Sequence, residues 1–160
     1  MKPRIRPAVP QDYQALCELL DNVDALHRDH LPDRFRQAPG PVRDRAYIFD
    51  LLEDENTALL VAEIEGLVTG MVHLTIVDVP PIPILVPRQV AIIENLVVGE
   101  GFRWAGTGRA LMAAAQVWAR RKGADSLELT VYEFNRAART FYEKMGYETM
   151  SRRMSKALTR

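Results

Sequence analysis

The sequence predicts a mixed α/β or α+β protein, a central sheet with helices on both faces. Three observations carry this. Segments with strand and helix periodicity are interleaved in the order strand, two helices, three strands, helix, strand, helix, strand. Residues 58–64 and 68–77 are separated only by Glu65-Gly66, the mark of an antiparallel hairpin. The apolar run 90–98 leads through a glycine-rich stretch into a helix, a connection that leaves the hairpin pattern.

The elements follow in order. Residues 4–8 read as a first strand, and Pro10-Gln11-Asp12 is a helix-start cluster. Tyr13, Leu16, Leu19, Leu20 and Val23 then recur at the spacing of one helical face, with Cys17 inside that helix as a small packing residue. Residues 24–41 are polar and broken by three prolines, which predicts a loop: either a cover over a pocket or a plain surface loop. His27 and His30 lie in it without the spacing of a zinc motif, so no metal is expected. Residues 43–53 read as a second helix. After the hairpin, residues 79–87 hold four prolines and are expected to be extended loop, since proline cannot donate to a ladder. The central strand spans 90–98, and a helix is expected from Gly108 to Lys122 with Gly123 after it. Residues 126–131 alternate as a strand, Asn135 caps a helix over 136–145, and 147–154 are expected to form a last strand.

With 160 residues, 48% hydrophobic and 26% charged, the chain suits a single globular domain spanning 1–160. Its 21 basic and 21 acidic residues balance, which argues against nucleic acid or an anionic membrane as the main partner. One cysteine permits no internal disulfide, so a reducing, cytoplasmic setting is expected. No run approaches the roughly 18 apolar residues of a membrane span.

The chemistry concentrates in residues 94–109. Strand, glycine loop and helix together make a phosphate-holding arrangement: glycine lets the backbone approach, and helix N-terminal N–H groups attract anions. A nucleotide P-loop requires Gly-x-x-x-x-Gly-Lys-Ser/Thr, which is absent. A dinucleotide loop requires a third glycine, and Gly106-Thr107-Gly108 is followed by Arg109, Ala110 and Leu111. The pyrophosphate of a coenzyme A is the third reading.

Arg103-Trp104-Ala105-Gly106-Thr107-Gly108 matches Arg/Gln-x-x-Gly-x-Gly/Ala, the pyrophosphate loop of the GCN5-related N-acetyltransferases, or GNAT superfamily. Trp104 stands where the fuller motif has glycine. Asn135, Ala138, Phe141, Tyr142, Glu143, Lys144, Gly146 and Tyr147 match a second family motif, and Ile5-Arg6-Pro7-Ala8 with Asp12 looks like the family's opening. The chain thus resembles that family over nearly its whole length. The resemblance implies a GNAT fold, with a mostly antiparallel mixed sheet whose strands splay at the acetyl-CoA site, and an acetyl-CoA-dependent transfer to a primary amine. The partner would be a small-molecule or peptide amine, with no metal; dimers are frequent in the family.

On that reading the backbone of Gly106, Thr107, Gly108 and Arg109 holds the pyrophosphate, with Arg103, Trp104 and Ala105 beside it. Leu96, Val97 and Val98 pair with the pantetheine arm, and the Leu96 N–H is the candidate oxyanion donor. An amine of pKa near 10 arrives protonated, so a base is needed. Glu94 is the candidate, either as base through a water or as a substrate-orienting charge. On a regular strand it shares a face with Leu96, a relation that the bulge implied here by the resemblance would alter. Tyr142 is the candidate acid for the leaving thiolate, Asn135 combines cap and coenzyme contact, and Phe141 reads as core or a wall of the coenzyme slot. Cys17 lies away from these motifs, so direct transfer in a ternary complex is expected. Asp33, Phe35, Tyr47, His73, Asp78 and Glu133 are candidates for the acceptor wall. The rival reading is a non-catalytic acyl-CoA-binding or regulatory module on the same fold.

Overall fold

The computed structural model describes residues 1–159 in two compact units, the second beginning at Val131. The first unit holds β1 (Arg4–Pro7), α1 (Tyr13–His30), α2 (Arg45–Glu53), β2 (Thr57–Ile64), β3 (Leu67–Asp78), β4 (Gln89–Val98), α3 (Thr107–Arg121) and β5 (Ser126–Leu129). The second holds α4 (Arg136–Lys144). The five strands lie in chain order. β1 to β4 are antiparallel to their neighbours, and β5 runs parallel to β4 after the α3 crossover.

Strand alternation divides the core between two faces. Leu59 and Val61 of β2, Met71 of β3 and Val97 of β4 pack in one cluster with Leu16, Leu19 and Leu20 of α1 and Ile48 of α2. Residues between them, such as Leu60, Ala62, Val72 and Leu74, are equally buried on the opposite face. There α3 buries Leu111, Met112, Ala115 and Ala119. Gly70 allows α3 to lie close: a Cβ there would sit 2.9 Å from the Val97 carbonyl oxygen, 3.2 Å from Leu111 Cδ1 and 3.3 Å from Thr107 Cγ2. Arg6 ties β1 to the start of α1 and to β2, donating to both Asp12 carboxylate oxygens (2.7 and 3.0 Å) and to Glu63 (2.8 Å).

Local signals set the boundaries. Glu65 and Gly66 both have positive φ (51° and 81°), as a two-residue hairpin turn between right-twisted strands requires. Asp44 caps α2 by accepting from the Tyr47 N–H at 2.8 Å. Gly123, at φ 84°, follows α3.

Four expectations are corrected. The loop expected from residue 24 begins only after His30, because α1 continues to Pro32's restriction on Leu31, which leaves the helical region at φ −131°, ψ 60°. His27, Arg28 and His30 therefore occupy the last turn of a helix, where positive charge suits the dipole. α3 opens at Thr107, one residue early, because Gly106 takes a left-handed N-cap conformation (φ 85°). β5 ends at Leu129, not at 131. The last strand expected over 147–154 is absent: these residues form no strand, and Tyr147, Met150 and Met154 lack the alternation that fixes a strand with one buried face. Among the described residues no helix is long and apolar enough to cross a membrane.

Candidate functional site

The site begins with a mismatch between two strands. Along β3 and β4, Leu74 pairs with Ile93 and the next β3 residue, His73, pairs with Asn95. Glu94 is the extra residue of a β-bulge, without a partner in the register and exposed to solvent. The bulge changes the facing expected of a regular strand. Leu96 pairs with Val72, on the α3 face, whereas Asn95 pairs with His73, on the face of Met71 and α1. Glu94 therefore does not share Leu96's face by simple alternation.

The bulge is followed by an open strand edge. The Gly99 N–H donates to the Thr69 carbonyl at 2.8 Å, which fixes the phase of the ladder. Hydrogen-bonded and non-bonded pairs alternate in an antiparallel ladder, so Val97 bonds to Met71, while Leu96 and Val98 turn their N–H and C=O groups away from β3. On that side β5 pairs only with Val90 to Ile93. The two strands thus part before Leu96. Of the three residues expected to offer backbone to a pantetheine arm, Leu96 and Val98 face the open edge; Val97 is committed to β3, and its side chain is in the core.

The edge leads into the glycine loop. A 3-10 turn (Glu100–Phe102) is closed by the Phe102 N–H on the Gly99 carbonyl at 2.9 Å. Arg103 then folds back, its Nε donating to the Val98 carbonyl at 3.3 Å. This marks the same outward direction for Val98 and holds the loop against β4. Trp104 has φ 70°, a left-handed conformation that glycine adopts freely and other residues rarely do. Ala105 and Gly106 are exposed beside it, and Thr107, Gly108 and Arg109 form the first turn of α3. The N–H groups of that turn have no intrahelical acceptor. Thr107 is 1% exposed, and its Oγ1 is buried with no hydrogen-bond partner among the described residues.

In the second unit Asn135 caps α4, its Oδ1 accepting from the Ala138 N–H at 3.1 Å. Phe141 meets Tyr142 edge-on with ring centroids 5.3 Å apart, and Tyr142 meets Tyr147 at 5.7 Å. Burial, with a smaller contribution from Tyr147, pushes the Tyr142 phenol up to about 12. It holds its proton throughout the physiological range, as an acid must before it donates.

The acceptor-wall candidates scatter. Phe35 stacks on His27 with centroids 5.1 Å apart, Asp33 lies in the turn before it, and Tyr47 is exposed on α2. Asp78 accepts from Gln89 at 3.3 Å and Glu133 pairs with Arg139 at 3.4 Å. Of the candidates in the first unit, His73 is the one that lies beside the bulge. It is 7% exposed, its Nε2 has no partner among the described residues, and burial lowers its pKa, favouring the neutral ring. Asn95, opposite His73, went unnoticed in the sequence, because only the register places it there. Cys17 is half-buried on α1, its Sγ 3.9 Å from the Arg43 carbonyl.

A bulged strand with a free edge running into a glycine turn and a helix N-terminus suits a ligand with an extended amide arm and a pyrophosphate. A family model described as "Acetyltransferase (GNAT) family" matches residues 22–147. The chain belongs to the acetyltransferase (GNAT) family. Membership makes it an acetyltransferase. An N-acetyltransferase of Bacillus subtilis, YhfO, itself uncharacterized, is 32% identical over 144 residues, covering 90% of this chain and 89% of its own. A mutant of the BH1408 protein from Bacillus halodurans superposes with a TM-score of 0.92 at 27% identity, over 98% of this chain and 99% of that one. The aminoglycoside N-acetyltransferase AAC(6′)-Iy, solved in complex with CoA, shares the GNAT fold at a TM-score of 0.74 and 17% identity, over 98% and 100% of the two chains.

Proposed function

We propose that the protein transfers the acetyl group of acetyl-CoA directly to a primary amine within a ternary complex, as a single N-acetyltransferase domain. The observation that carries this reading is the open β4 edge at Leu96 and Val98, continuous with the Gly106-Thr107-Gly108 turn. Amide groups along the pantetheine arm would pair with the outward N–H and C=O groups of that edge, as a strand pairs with its neighbour. The pyrophosphate would take the N–H groups at the start of α3 and the dipole behind them. Thr107 Oγ1, buried without a partner among the described residues, suits a polar ligand atom or a bound water at that turn.

The roles follow from the chemistry of the transfer. Glu94, exposed on the bulge, takes a proton from the ammonium, directly or through a water, and frees the nitrogen lone pair. The amine nitrogen attacks the thioester carbonyl carbon, and the oxygen gains negative charge. The Leu96 N–H stabilises that charge, a contribution of about 3 kcal/mol for one well-placed donor. As the C–S bond breaks, the Tyr142 phenol gives its proton to the departing thiolate, and the nitrogen's second proton passes to the phenolate through water, leaving a neutral amide, free CoA and the first proton on Glu94. Cys17 belongs to α1 and its Sγ lies 3.9 Å from the carbonyl of Arg43, a residue of neither β4 nor its loop, which supports a route with no acyl-enzyme. His73 and Asn95, beside the bulge, are proposed to line the acceptor side.

The test is thiol release from acetyl-CoA against a panel of primary amines, with CoA binding measured in parallel. Acceleration by at least one amine is expected. CoA binding without acceleration by any amine would favour the binding-module reading.

A further inference from the structure

Trp104 is the anomaly the transfer chemistry does not absorb. It is 95% exposed, so it contributes almost no packing within the chain. It also occupies a left-handed backbone conformation that only one other non-glycine residue, the hairpin's Glu65, adopts among the described residues. Both flanks of the strained residue are anchored: Arg103 bonds back to the Val98 carbonyl, and the Gly106 carbonyl accepts from the Ala110 N–H at 3.0 Å. An aromatic plane is thus held out from a fixed loop, in a conformation that glycine would adopt more easily. Strained residues concentrate where a ligand uses them.

We propose that Trp104 is a stacking platform for the adenine base of the coenzyme. The inference rests on the acetyl-CoA reading and deepens it. Trp104 is two residues from Gly106, at most about 7 Å of chain from the turn assigned to the pyrophosphate. The adenosine is bonded to that pyrophosphate, on the side opposite the pantetheine arm, so the base must lie near the loop. An indole face suits an adenine face, and stacking on an aromatic side chain contributes about tenfold in affinity or more. Arg103 and Arg109, exposed on either side, supply positive charge for the nucleotide's phosphates. Trp104 then acts as a specificity residue: it favours the complete coenzyme over carriers that end at the phosphopantetheine.

Calorimetric titration of the full chain with CoA and with 4′-phosphopantetheine tests this. Trp104→Gly is expected to weaken CoA binding about tenfold and to leave 4′-phosphopantetheine unchanged, with Trp104→Phe in between. In a Trp118→Phe background, where Trp104 is the sole tryptophan, CoA and adenosine 3′,5′-bisphosphate should quench its fluorescence and 4′-phosphopantetheine should not. CoA affinity unchanged in Trp104→Gly would overturn the platform alone. Failure of the wild-type protein to bind CoA would overturn the acetyl-CoA reading and the platform with it.

Discussion

Alanine at Gly70 is expected to loosen the fold and the coenzyme turn together. The added Cβ would lie 2.9 Å from the Val97 carbonyl oxygen, a backbone atom of β4 that cannot swing aside. Its other neighbours, Leu111 Cδ1 at 3.2 Å and Thr107 Cγ2 at 3.3 Å, belong to the first turns of α3. Relief therefore requires β4 and α3 to move away from β3. Overpacking of this kind costs about 1–3 kcal/mol. Removing glycine from the unfolded chain returns about 0.5–1 kcal/mol. The net loss is about 1–2 kcal/mol, a fall in Tm of roughly 2–8 °C for a chain of this size. Urea unfolding should show a lower midpoint with an unchanged m-value. Because Thr107 begins the turn assigned to the pyrophosphate, CoA affinity should fall as well. Gly40→Ala, which meets nothing within 4 Å, is the control and should leave both unchanged. A Gly70→Ala protein as stable as wild type, with full CoA affinity, would refute the close approach of α3 to β3.

Three further outcomes follow from the same structure. Asp12→Asn should destabilise the protein by about 2 kcal/mol at neutral pH, since it removes the carboxylate that Arg6 grips with two hydrogen bonds. Hydrogen bonding to Arg6 lowers the Asp12 pKa in the folded state, so this contribution is fully present above the unfolded value near 3.8 and is lost as pH falls through the folded value; acid unfolding of wild type and variant should converge at the low end. Leu96→Pro should lower kcat by about a hundredfold with CoA binding largely kept, because the lost N–H points away from the β3 ladder; full activity would remove Leu96 as oxyanion donor. Trp104→Gly should leave Tm unchanged or raise it slightly in a thermal melt, since the indole is exposed and the backbone strain disappears.

Features set by nearest neighbours in sequence were legible, and features set by pairing were not. The Glu65-Gly66 turn, the Asn135 cap and the glycine after α3 are fixed by a few adjacent residues, and the structure has all three where the sequence points. The order of the elements through α4 followed from periodicity alone; the strand expected over 147–154 did not form. The bulge is different: the family resemblance implies one on this strand, but its place at Glu94 arises from the register of β3 against β4, which no local pattern within β4 encodes. With it went the facing of Leu96 and the juxtaposition of His73 and Asn95. The polar end of α1 misled because helices carry polar residues on their solvent face, and Pro32 was the true stop. Trp104 was visible as a departure from the motif; that it keeps the glycine-like backbone is a property of the loop's closure and not of the residue.

The most direct test of the central claim is steady-state thiol release from acetyl-CoA with the best primary amine, comparing wild type with Glu94→Gln and Tyr142→Phe. Loss of the base or of the acid should each lower kcat by about a hundredfold or more, with CoA binding retained. With a phenol pKa of about 12, Tyr142 should add no alkaline limb to the wild-type profile below about pH 11. Full activity in both variants would contradict the account.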